Sequence, residues 1–124
     1  MEAGKAQGEM RLGEILHDLE ELTWELRDTN AEIDVNEISD TLADVSLQSD
    51  SRAMEIYIAQ QAGSARVVDD EVEFGEVRLG DLKELVHKLI SGDYLKSIRK
   101  TRIFRRNYVE LKVAVGHNVY VGLG

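Results

Sequence analysis

The chain has 124 residues with no cysteine and no proline, and only 6% of it is aromatic. Without cysteine there is no disulfide, no thiolate metal site and no cysteine nucleophile, and a reducing compartment is the natural setting. Without proline, turns must come from Gly, Asn, Asp and Ser. No apolar run approaches the roughly 18 residues of a membrane helix, and the start, Met1-Glu2-Ala3-Gly4-Lys5-Ala6, lacks the apolar stretch of a secretory signal. A cytoplasmic protein or a virion component is therefore expected, with no membrane contact. Catalytic signatures are missing as well: there is no Gly-x-Ser-x-Gly and no phosphate-cradling glycine loop. Adjacent acids such as Glu20/Glu21 and Asp69/Asp70 fall on polar stretches, where nothing would raise a carboxyl pKa for acid catalysis. The chain reads as non-enzymatic, with no cofactor.

What is abundant is charge, and it is segregated. From residue 96 onward seven cations, Lys96, Arg99, Lys100, Arg102, Arg105, Arg106 and Lys112, stand against Glu110 alone. The first 95 residues carry 23 acids against 8 Lys and Arg, within a whole of net charge −9. Such bipolarity points to electrostatic association with a partner, a further copy of the chain included. Hydrophobic residues make up 43% and charged residues 31%, the balance of a globular domain.

Residues 1–9 read as a mobile polar arm, and residues 10–124 as a single domain. Leu12, Ile15, Leu16, Leu19, Leu22 and Leu26 recur at helical spacing and predict a helix over about 12–29. Residues 34–42, with Val35, Ile38 and Leu42 on one side, suggest a short helix. Alternation then predicts a hairpin, Val45 and Leu47 answered by Met54, Ile56 and Ile58. A smaller hairpin is expected over residues 66–68 and 72–74. Leu82, Leu85, Val86 and Leu89 form the stripe of a second helix over about 79–90. Ser91-Gly92-Asp93 stops it and leads to an expected short helix over 93–100, carrying Leu95 and Ile98. A final hairpin turns at Gly116-His117-Asn118. The expected fold is α+β, an antiparallel sheet of two or three hairpins packed against two main helices.

Gly8-Glu9-Met10-Arg11-Leu12-Gly13-Glu14-Ile15 resembles Gly75-Glu76-Val77-Arg78-Leu79-Gly80-Asp81-Leu82 without a gap, each copy leading into a helix. Shared helix-start chemistry is the favoured explanation; the alternative is duplication of an α-α-β-β unit.

Two Glu-x-x-His pairs, Glu14/His17 and Glu84/His87, have a spacing used by metal-binding bundles. Both project opposite the apolar stripes, so solvated faces explain them better, although outward ligands can also meet between subunits. The oxygen-bearing alternation Asp28, Asn30, Glu32, Asp34, Asn36 resembles a calcium loop. It has Ile33 where the sharp turn requires glycine and Ser39 where a bidentate glutamate belongs. No metal is expected. Trp24 falls on the polar side of the first helix, where an aromatic among acids has the look of an interface anchor.

The remaining candidates are Lys96, Arg99, Lys100, Arg102, Phe104, Arg105, Arg106 and Tyr108. Cations interleaved with rings suit an acidic protein surface, and they also suit a phosphate backbone with stacked bases. The favoured function is a non-enzymatic interaction or assembly subunit, homo-oligomeric and virus- or phage-like in character. Its basic C-terminal region contacts a neighbour's acidic surface head to tail. The alternatives are a nucleic-acid-binding module acting through residues 96–112, and an acidic regulator that mimics nucleic acid with residues 14–40 and 69–84.

Overall fold

The computed structural model describes residues 10–100 and 107–124. The arm expected over residues 1–9 lies outside the described residues, as do 101–106. Helix α1 (Leu12–Glu25) is followed by a single 3₁₀ turn, Arg27–Thr29, which ends on Asn30 in the left-handed region. Five strands come next, β1 (Glu32–Glu37), β2 (Leu42–Gln48), β3 (Ala53–Ala59), β4 (Ser64–Asp69) and β5 (Glu73–Arg78). Helix α2 (Leu79–Ser91) then leads to β6 (Leu95–Lys100), β7 (Asn107–Val115) and β8 (Asn118–Leu123).

The eight described strands join one antiparallel sheet in the order β1-β2-β3-β4-β5-β8-β7-β6. The fold is α+β, with the two main helices on one face of that sheet. Each strand alternates as its pleat requires. Val45 and Leu47 of β2, Ile56 and Ile58 of β3, Val67 of β4, Phe74 of β5, and Leu111 and Val113 of β7 turn inward. There they meet Ile15, Leu19 and Leu22 of α1 and Leu82, Leu85 and Leu89 of α2.

Both Arg-Leu-Gly segments begin their helices at the leucine, with Arg11 and Arg78 extended just before it. One connection serves both starts. In the β3–β4 turn, Gln60 Oε1 accepts from Leu12 N–H at 2.6 Å and the Gly63 carbonyl accepts from Leu79 N–H at 3.2 Å. Each thereby satisfies a donor that a helix start leaves over. At the other end of α2, Gly92 stops the helix with φ 79°, a conformation open to glycine without steric cost.

Two expected helices are strands. Residues 34–42 were expected to coil, yet Glu32–Glu37 form β1, paired along its length with β2. Residues 93–100 were expected to coil, yet Leu95–Lys100 form β6, paired with β7. Pairing to a strand already held in the core outweighs the weak helical spacing of such short segments. The Arg-Leu-Gly segments accordingly do not introduce α-α-β-β units. Helix α1 is instead succeeded by the five-strand meander β1-β2-β3-β4-β5, and α2 by the three-strand meander β6-β7-β8. Each meander places its first strand at an outer edge of the sheet.

Candidate interaction surfaces

Three surfaces emerge from this architecture: the uncovered face of the sheet and its two edges. On the uncovered face, register sets Leu95, Lys112 and Val121 in one row, with Glu110 and Leu123 in the next. Leu95, Val121, Leu123 and the neighbouring Val119 stay largely exposed, Leu95 at 72% and Val119 at 62%. Further across, Tyr57 lies under the Arg66 guanidinium at 5.3 Å, and Arg66 pairs with Glu73 at 3.0 Å. The sheet is weakest in its middle, where among the described residues the register pairs β5 with β8 only at Glu73 and Leu123. Beside that rung is a cleft of about 710 Å³ whose lining includes Phe74 and Tyr120. Tyr120 spans the gap on the helix side, its O–H donating to Asp81 at 2.6 Å and accepting from Arg78 N–H at 3.3 Å. Burial, together with the bond to Asp81, holds its phenol above the usual range.

The two edges carry opposite charge. Strand β1 bears Glu32, Asp34 and Glu37 and no cation; β6 bears Lys96, Arg99 and Lys100 and no acid. Because each is the first strand of its meander, they hold equivalent places on opposite flanks. Both edges also leave large apolar side chains in water. Ile38, just past β1, is 58% exposed and Ile98 of β6 is 63% exposed.

Of the expected contact residues, Lys96 is in β6 with its ammonium 2.6 Å from Glu71 Oε2, so part of its charge is met within the chain. Lys100 is exposed at the end of the same strand. Arg99 lies opposite Tyr108 in the ladder, and Tyr108 is half-buried on β7. Arg102, Phe104, Arg105 and Arg106 fall outside the described residues. Trp24 is 67% exposed on α1 with the Arg27 guanidinium 4.3 Å from its ring centre. The structure thus brings Lys96, Arg99, Lys100 and Tyr108 together on one flank and leaves Trp24 apart on the helix layer.

A cluster that sequence reasoning missed holds the base of β6. Arg52, 8% exposed, donates through Nη1 to both Asp69 oxygens at 2.6 and 2.8 Å and through Nη2 to Glu71 at 3.1 Å. It also donates to the Tyr94 hydroxyl and stacks over that ring at 4.9 Å. Burial pulls its pKa down, but the bonds to Tyr94 and Asp69 outweigh that and keep the guanidinium firmly charged. Only the polar turn around Arg52 was visible in sequence, because its partners are 17 or more positions away.

The metal-like motifs do not converge. Glu14, His17, Glu84 and His87 are exposed, and among the described residues no three His, Asp or Glu side chains gather to hold an ion. The calcium-like alternation is split between the 3₁₀ turn and β1, whose period of two sends Glu32, Asp34 and Asn36 outward on one face. Also among the described residues, no helix is long and apolar enough to cross a membrane. Comparison with known protein families, curated proteins and solved structures finds no match.

Proposed function

We propose that the protein is a non-enzymatic assembly subunit, bound to its neighbour by the basic C-terminal flank of its sheet meeting an acidic protein surface. The observation that carries this reading is the opposite charge of equivalent sheet edges, acidic at Glu32, Asp34 and Glu37 and basic at Lys96, Arg99 and Lys100. Complementary fields of this kind steer encounter and fix orientation. The exposed Leu95, Val119, Val121 and Leu123 beside the basic edge add an apolar area next to the charges, the combination that protein interfaces use. A cytoplasmic or virion setting accords with this role and with the absence of cysteine.

Light scattering from low to high salt tests the reading. A mass above the 14.0 kDa of one chain, falling as salt rises, is the expected result, because exposed charges are screened beyond about 8 Å at physiological ionic strength. A chain that remains single at low salt and retains a labelled oligonucleotide instead would replace this reading with nucleic-acid binding.

A further inference from the structure

We infer that the neighbour is a second copy of this chain, and that β6 of one copy pairs antiparallel with β1 of the next to continue the sheet. The inference rests on the assembly reading above and specifies its joint.

Strand parity comes first. Eight antiparallel strands leave β1 and β6 running in opposite directions. A copy added edge-on therefore meets an antiparallel partner while its helices stay on the same side. Hydrogen-bond phase comes next. Ile38 N–H donates to Leu42 O, so by the alternation of antiparallel ladders the groups of Ile33, Val35 and Glu37 point away from β2. Gly124 N–H donates to Val109 O. Strand β7 therefore bonds β8 through its odd positions and β6 through its even ones, leaving Lys96, Ile98 and Lys100 to point outward. The free groups of the two edges thus lie on the same pleat.

Sequence then selects one register. Placing Val35 opposite Ile98 also places Ile38 opposite Leu95, Glu37 opposite Lys96, and position 34 (Asp) opposite position 99 (Arg). Of its six rows two are apolar pairs and two are opposite-charge pairs, while Asn36 faces Ser97 and Ile33 faces Lys100. A slip of two residues one way sets Lys96 against Val35; the other way it sets Glu37 against Ile98. The joint covers Ile38, Leu95 and Ile98, three of the large apolar side chains that a single chain leaves in water. Lys96 keeps its bond to Glu71, since an ammonium has three donors. Charged edges commonly protect sheets from pairing. Here they repel β1 from β1 and β6 from β6 but favour the mixed joint, a heterologous contact that closes into a ring or extends as a filament.

The test uses Asn36→Cys and Ser97→Cys as separate variants of the full, otherwise cysteine-free chain; both positions are exposed. In this register the two residues form a non-hydrogen-bonded pair with Cα atoms about 4.5 Å apart, within disulfide reach. Mild oxidation of the mixture is expected to give a cross-linked dimer containing one of each variant, and neither variant alone should do so. As a second measurement, Asp34→Lys with Glu37→Lys, both exposed, is expected to weaken association on the order of tenfold. If scattering finds a salt-sensitive oligomer but no mixed cross-link forms, the joint is overturned and the assembly reading stands. A single-chain mass at low salt overturns both.

Discussion

Arg52 sits at 8% exposure with its charge met by Asp69, Glu71 and Tyr94, which come from the end of β4, the β4–β5 turn and the approach to β6. Replacing it by alanine strands the fully buried Asp69 carboxylate, and urea unfolding is expected to show a loss of about 3 kcal/mol. Its neighbour Glu71 has a depressed pKa, chiefly because Lys96 donates to it and secondly through the bond from Arg52, with burial opposing both. A depressed acid stabilises the fold above its ordinary value of 4.5, and that contribution disappears as pH falls through the folded-state value. Between about pH 6 and pH 3 the native chain should therefore lose more stability than Glu71→Gln, as measured by paired denaturation curves. At this scale the sequence was legible where a residue's setting is local. The outward position of Trp24 followed from the angle between helix positions. The Arg52 network did not, since long-range partners leave no trace in spacing.

Elements were legible where a segment is long or its alternation strict. Helices α1 and α2 and the strands β2, β3, β7 and β8 follow from their apolar periods. Strands β1 and β6 were misread because Val35/Ile38 and Leu95/Ile98 have a spacing of three, which six or seven residues cannot distinguish from a half-buried strand. What decides them is the adjoining ladder, β2 for one and β7 for the other. The loop over residues 60–64 was legible from its polar, glycine-bearing sequence, but its capping of both helices was not. Gln60→Ala should remove one of those caps and cost about 1 kcal/mol in thermal or urea unfolding. Gly122 is a second element-level constraint. A Cβ there would lie 2.6 Å from the Phe74 ring and 2.8 Å from Val72 Cγ2. Gly122→Ala should therefore force the rung between β5 and β8 to shift and cost about 1–3 kcal/mol in the same assay.

For the whole molecule, the α+β layering was legible because two amphipathic helices and several alternating segments have few ways to bury their apolar sides together. The strand order was not, since it depends on β5 meeting β8 across the intervening α2, β6 and β7. Part of the charge segregation read from the chain reappears as an acidic β1 and a basic β6 at opposite ends of one sheet. That arrangement makes a mixing prediction. Chains carrying Asp34→Lys and Glu37→Lys keep an intact β6, so adding them to the native protein should lower the mean mass in light scattering, each one blocking further growth at one end. The thin join between β5 and β8 has its own consequence. With one register pair at that line, the sheet's flanks are joined also by the helix layer and the Arg52 network. In the ring proposed above, bending at this seam would add to the angle of the joints in setting the number of copies.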